Sequence, residues 1–554
     1  MTQIASEDKY AKAKRLRDEH TIAILKSRAK KILVVAGPGT GKTHLFAKIL
    51  EEKTRTLTLS FIKALVDDLS LKLCGLSEVK TLHSFARGIV KRATGKDVKV
   101  FPKLSAVIKE DANILLNREI DFDPIFHTRD DENQCIKFYR DRMRYYDNHY
   151  GHSDVIYGAV KFFESKKVDV PIYDQVIVDE FQDFNQLEVS LIDFLAEKNS
   201  ILIAGDDDQA LYEFKNASTE HIRQRHGNAT FGFEQFNLPF CSRCTRVIVE
   251  TSNDIVKAAK RAGLLQGRVE KTYEYFEDKL KDELSDRNSK IIHCHKWEAQ
   301  IPYFIQSNLE QIAGHVRDKF SVLIISPWTK QLQRIGGALR DVGFKNISLP
   351  EGQTEREPTL LDGLKLLIEN KKCKLGWRIT AKALLDDVKF RSLLNETDQP
   401  AQKSFEDIMP QVHKREVRSL LAHLRKIIDG KPIDEDALRE IFKRIRRDPF
   451  RESKDVLKDD VGSAKSIRIS GVGNVPIKAT TVQGSKGLDA DIVFITHFDD
   501  RYLINDESKK ITDLDVCKFL VALTRARHKV FLISTIKSDP TFLKWIDKSR
   551  IQKI

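Results

Sequence analysis

The sequence predicts an α/β protein built on parallel sheets, and three observations carry that reading. Short apolar runs at 32–36, about 55–60, 175–179 and 200–204 alternate with helical patterns, which sets helices between parallel strands. The first run, Ile32–Ala36, leads straight into Gly37-Pro-Gly-Thr-Gly-Lys-Thr43. The third, through Val176 and Val178, leads straight into the paired acids Asp179 and Glu180. Both loops leave the carboxyl ends of strands, where open α/β sheets hold ligands.

The elements follow in order. Residues 6–31 place Lys and Arg at helical spacing ahead of the first strand. Residues 87–167 are polar and mostly helical in pattern, with no sheet-core strand, and read as an insertion. A second α/β unit begins near 289 with Lys290–His293 and continues with Phe320–Ser326. It resumes with Asp491–Thr496 and Lys529–Ser534. Charged amphipathic helices, Arg415–Arg425 among them, fill 369–471 and end at Gly471–Pro476. The expected division is 1–86 with 168–275, 87–167 inserted, 276–368 with 472–554, and 369–471 inserted.

The chain has 554 residues, enough for roughly three to four domains. Its net charge of +13 suits a polyanionic partner, although the charges are well mixed. No run of 18 apolar residues and no basic-then-apolar leader occurs, so a soluble, cytoplasmic protein without membrane contact is expected, nucleoid-associated if bacterial. Seven scattered cysteines read as reduced thiols. Cys241 and Cys244 form a CxxC; zinc ligation with His293-Cys294-His295 is the alternative, and no second CxxC accompanies it.

In Ala36-Gly37-Pro38-Gly39-Thr40-Gly41-Lys42-Thr43, backbone N–H groups and the following helix N-terminus suit phosphates. Lys42 reaches the β- and γ-phosphates and Thr43 ligates Mg²⁺. The leading residue is Ala36 where the pattern has Gly. Asp179 holds Mg²⁺ through water, and Glu180 orients or deprotonates the attacking water. ATP and Mg²⁺ are therefore the expected ligands.

Further segments then carry a resemblance. Thr81-Leu-His83-Ser-Phe85, Gly205-Asp-Asp-Asp-Gln209 with Tyr212, Phe214 and Lys215, Thr481–Asp489, and Val521–Arg527 with Arg525 occur in order. The chain resembles the UvrD/Rep/PcrA family of superfamily 1 DNA helicases. The resemblance implies two RecA-like P-loop domains, each with a mostly helical inserted subdomain. It implies ATP-driven translocation on single-stranded DNA, 3′→5′, with single-stranded or tailed duplex DNA as partner. It assigns Gln209 to sensing the γ-phosphate and Arg243 and Arg525, from the second half of the motor, to clamping it. Gly487 and Asp489 fall in the family's nucleotide-contacting KGLE segment. Tyr212 and Phe214 correspond to base-stacking aromatics, with Lys215 beside them; Ser60, Lys63, His83 and Gln483 are candidate backbone contacts.

Departures accompany the match. The family's NYRS reads Cys241-Ser242-Arg243-Cys244, so Ser242 replaces the tyrosine that flanks adenine. His20 stands at about the distance of the adenine-reading glutamine. Phe214 replaces a tryptophan, and Asp489 a glutamate. The second insertion looks shorter than in full-size relatives, which makes strand separation less secure than translocation. Two other classes compete: an ATPase subunit of a nuclease-coupled or anti-phage complex in which unwinding is secondary, and a non-catalytic DNA-binding scaffold. The last recognised strand lies about 20 residues before Ile554, so any nuclease is expected on another chain. Intact Lys42, Thr43, Asp179, Glu180, Gln209 and Arg525 argue against the scaffold.

Overall fold

A computed structural model describes residues 2–315, 320–350, 357–398, 403–429, 475–504 and 510–554. Residues 430–474 therefore lie outside the described residues, and with them the expected end of the second insertion at 471. The chain forms two compact units. One gathers the described residues of 1–85, 169–353 and 466–554; the other gathers those of 86–168 and 354–465.

The first unit holds two parallel sheets. The first is built from β1 (Lys31–Ala36), β2 (Thr56–Ser60), β3 (Glu78–Thr81), β6 (Gln175–Val178), β7 (Ile201–Gly205) and β8 (Glu234–Leu238). Their order is β3-β2-β6-β7-β1-β8. Register is fixed by apolar runs buried on both faces: Val34 lies beside Ala204, and Val176 beside Ile201. Leu45, Phe46 and Leu50 of the helix Lys42–Leu50 pack on Val34, Ala36 and Leu202. Three neighbouring strands, β6, β7 and β1, thus deliver Asp179–Glu180, Asp206–Gln209 and the glycine loop to one edge.

The second sheet comprises β11 (Ile291–His295), β12 (Val322–Ile325), β13 (Ile347–Ser348), β14 (Ile477–Thr480), β15 (Ala490–Thr496), β16 (Ala526–Ser534) and β17 (Ile551–Lys553). Their order is β13-β14-β12-β15-β16-β11-β17, and every recorded pairing is parallel. Phe494 stacks on Phe531 with centroids 4.6 Å apart. The expectation that the last strand ends near Ser534 is corrected by β17, which pairs with β11 and reaches Lys553. A two-stranded ribbon, β9 (Phe240–Cys241) with β10 (Glu274–Tyr275), precedes β11.

Among its described residues, the second unit is helical apart from the two-residue pair β4 (Lys99–Val100) and β5 (His149–Tyr150). Both insertions contribute to this one body, which already includes the helix Leu360–Glu369. Its centre is charged: Asp111, wholly buried, accepts from Arg142 at 2.9 Å and from Arg378 at 2.7 Å. Burial alone would raise the Asp111 carboxyl, and the two guanidiniums hold it below its ordinary value. No helix among the described residues is long and apolar enough to cross a membrane.

Candidate active site

The glycine loop takes its shape from residues that tolerate it. Gly39 (φ 71°) and Gly41 (φ 95°) adopt left-handed backbone, and Gly41 opens the helix that begins at Lys42 and Thr43. Thr40 Oγ1 donates to the Gly37 carbonyl at 2.9 Å, closing the turn. A Cβ at Gly39 would strike the Arg243 side chain, because the segment 241–244 lies directly on the loop. The Ser242 N–H donates to the Gly39 carbonyl at 2.9 Å.

Opposite the loop, Glu180 adopts left-handed backbone (φ 54°), a conformation that costs a non-glycine residue about 1 kcal/mol or more. Its carboxylate accepts from Lys42 Nζ at 3.2 Å and from Gln182 Nε2 at 2.7 Å. Gln182 Oε1 in turn accepts the Asp206 N–H at 3.0 Å. Burial alone would raise the Glu180 carboxyl, but Lys42 and Lys486 hold it well below its ordinary value. Burial and the neighbouring Glu180 charge push Asp179 up to about 6. Of the two acids, Glu180 carries the firmer charge.

The second sheet reaches the same place. Arg525, buried, donates from Nη2 to Gln209 Oε1 at 3.1 Å. Burial and the nearby Arg243 lower the guanidinium to about 10, still charged near neutrality. Arg243 pairs with Asp489 at 3.4 Å, and its buried Nη1 has no hydrogen-bond partner. A buried guanidinium nitrogen left open beside a glycine loop suits an anion. Gly487 (φ 79°) packs so closely on Leu65 that a Cβ would collide with it.

Several participants were not singled out by sequence. Lys486, 3% exposed, pairs with Asp183, lies 3.4 Å from Glu180 Oε2 and donates to the Gln209 carbonyl at 2.8 Å. It ties the segment after β14 to the acids after β6. Burial pushes Asp183 up to about 6 against the pull of Lys486. Tyr273 lays its ring on Gly37 and donates from its hydroxyl to the Pro38 carbonyl at 3.0 Å. Only the segment quoted around Lys486 gave any signal; Tyr273 belongs to no motif. Asp206, Asp207 and Asp208 are the one group of three acids among the described residues placed closely enough to share a metal ion. Lys271 already meets all three, at 2.5, 2.7 and 3.1 Å, and Arg268 clasps Asp208 at 2.7 Å. Cys241 and Cys244 do not meet His293, Cys294 or His295 in such a cluster, which removes the zinc alternative.

The other expected contacts divide. His20 is exposed on the first helix, edge-on to Phe240 at 5.9 Å. Tyr212 differs from the expected open stacking face: it is 7% exposed, tilted on Phe61 at 4.7 Å, with its hydroxyl 3.4 Å from the Gln483 carbonyl. Phe61 and the segment after β14 cover the ring, which gives it core packing. The Phe214 side chain lies outside the described residues; the backbone forms one short turn, Glu213–Lys215. Lys215 is exposed over Phe61 and Tyr212, at 5.2 and 5.7 Å from their rings. Ser60 is buried with an unpartnered hydroxyl, Lys63 opens the helix Lys63–Lys72, and His83 follows β3. Phe61, Tyr212, Lys215 and Gln483 thus converge.

A family of AAA domains matches residues 20–215, which hold the glycine loop, Asp179, Glu180 and Gln209. The chain is 35% identical over 86 residues to DNA helicase II of Escherichia coli. It is 30% identical over 109 residues to DNA helicase II of Haemophilus influenzae. It is 25% identical over 169 residues to a probable DNA helicase II homolog of Mycoplasma capricolum. Over these segments the chain is similar to DNA helicase II proteins. The matches cover 15, 19 and 29% of this chain and 12, 15 and 21% of those relatives, respectively.

Proposed function

We propose that the chain is an ATP-driven translocase and helicase acting 3′→5′ on single-stranded or tailed duplex DNA. The observation that carries this reading is one cluster in which Lys42–Glu180, Gln209–Arg525 and Lys486 join the loops of both sheets. Such a cluster can register nucleotide and transmit its presence between the sheets. The glycine loop and Lys42 bind phosphates. Arg243 and Arg525 balance the charge of phosphoryl transfer, an effect worth roughly 10³–10⁵ in rate for an arginine of this kind. Gln209 senses the γ-phosphate, and Glu180 orients or deprotonates the attacking water.

The donor set suits Mg²⁺: the Thr43 hydroxyl and Asp179 carboxylate are hard oxygens, and Asp179 and Glu180 set two acids side by side near Lys42. Thr43 and Asp179 would hold the ion, which supplies charge neutralisation at the phosphates. Lys215, Lys63 and Gln483 offer the nucleic-acid contacts.

The test is ATP hydrolysis with and without single-stranded DNA, followed by unwinding of 3′-tailed, 5′-tailed and blunt duplexes. DNA-stimulated hydrolysis with unwinding of 3′-tailed substrate supports the reading. Hydrolysis indifferent to DNA refutes it. Stimulated hydrolysis without unwinding favours the subunit of a larger, nuclease-coupled or defence complex.

A further inference from the structure

Cys241 and Cys244 have no part in the proposed hydrolysis, yet their segment sits on the glycine loop. Both thiols are free and fully buried. The Cys244 N–H donates to Cys241 Sγ at 3.4 Å. Cys241 Sγ would stand 3.2 Å from a Cβ at Gly39. Cys244 Sγ donates to the Thr524 carbonyl at 3.7 Å, one residue before Arg525. Arg243, with its open Nη1, lies between the two cysteines. Lys281 Nζ donates to the Cys241 carbonyl at 2.5 Å. The segment 241–244 is therefore a strap with a thiol at each end, bearing on the glycine loop at one and on the Arg525 turn at the other.

We propose that Cys241 and Cys244 are a site of reversible disulfide formation by small peroxides, and that the disulfide disengages the strap and slows ATP hydrolysis. The activity consequence rests on the ATPase reading; the covalent change does not. Burial alone would raise the Cys241 thiol, but Cys244 and Lys281 bring it down to about 5, so Cys241 is the nucleophile. Its sulfur attacks one peroxide oxygen: an S–O bond forms, the O–O bond breaks and hydroxide leaves, giving a sulfenic acid. Cys244 sulfur then attacks Cys241 sulfur: the S–S bond forms, the S–O bond breaks, and water leaves with the Cys244 proton. Each sulfur loses one electron and each peroxide oxygen gains one. The Cys244 S–H no longer exists, so the Thr524 carbonyl loses its donor and the Arg525 turn loses a tether.

The sequence provides the assay. Trypsin cuts after Arg243, so the two cysteines fall in different peptides and a disulfide joins them. Reduced full-length protein is treated with hydrogen peroxide, its remaining thiols are alkylated, and peptides and ATPase are followed together. The expected result is a cross-link of Cys241 to the peptide Cys244-Thr245-Arg246, with five of seven thiols still alkylable. ATPase should fall by at least roughly tenfold, short of the 10³–10⁵ cost of removing such an arginine. Dithiothreitol should reverse both changes. Cys244→Ser, which keeps a hydroxyl donor toward Thr524, should form no cross-link and show no reversible loss. Absence of the cross-link while exposed Cys74 oxidises would overturn the proposal, as would a cross-link that leaves ATPase unchanged. Equal reversible loss in Cys244→Ser would also overturn it. A cross-link in protein that hydrolyses nothing when reduced would sustain the modification and refute the ATPase reading.

Discussion

Replacing Lys486 by Met tests how the two sheets are held together. Lys486 is 3% exposed and faces Asp183, Glu180 and the Gln209 carbonyl. Removing one member of a buried ion pair leaves the other charge without compensation and costs about 3–5 kcal/mol. The loss has a definite pH dependence. Asp183 already titrates up at about 6 with the lysine present, and without it the carboxyl moves higher. A folded pKa above the unfolded value means the folded state binds the extra proton. Stability is then lost as pH rises between the two pKa values. The deficit of Lys486→Met against wild type should therefore be larger near pH 8 than near pH 5. Chemical denaturation at both pH values measures it, and Asp183→Asn in the same background should recover part of the loss by removing the stranded charge. A deficit below about 1 kcal/mol that does not change with pH would refute the assignment of Lys486 as the tie.

Lys42→Ala should abolish hydrolysis and weaken nucleotide binding, whereas Glu180→Gln should abolish hydrolysis and keep binding; titration with a fluorescent nucleotide separates them. Near-normal turnover in Glu180→Gln would remove its role as base. Glu188 closes a capping box with Asn185, and burial pushes its carboxyl up to about 7. Wild-type stability should therefore fall from about pH 4 to about pH 7 relative to Glu188→Gln, so the variant's relative melting temperature climbs across that window. Tyr273→Phe removes one hydrogen bond to the Pro38 carbonyl and should cost about 1 kcal/mol in stability, with nucleotide affinity falling a few-fold.

The central strands were legible because they are apolar and buried on both faces: β1, β6 and β7 carry Leu33, Ile177 and Ile203, none of them exposed. Edge strands were not. β3 reads Glu-Val-Lys-Thr and β17 reads Ile-Gln-Lys; each buries too little to leave an apolar run. At the site, Lys42, Glu180, Gln209 and Arg525 stood out because loop chemistry and resemblance both marked them. The role of Lys486 depends on Asp183, 303 residues away, and no local pattern announces so distant a partner. Tyr212 looked exposed because its loop is polar, and only the packed position of Phe61 reveals the ring as buried.

The charged centre of the helical unit has a consequence for synthesis. Asp111 and Arg378 are 267 residues apart in the chain. At ribosomal speeds of about 5–20 residues per second, Asp111 leaves the ribosome roughly 13–53 s before Arg378 does. During that interval Arg142 is the partner at hand, and the carboxylate must stay hydrated or half-paired. The first insertion is thus made before its own core can close, and that core is completed only once Arg378 has been added.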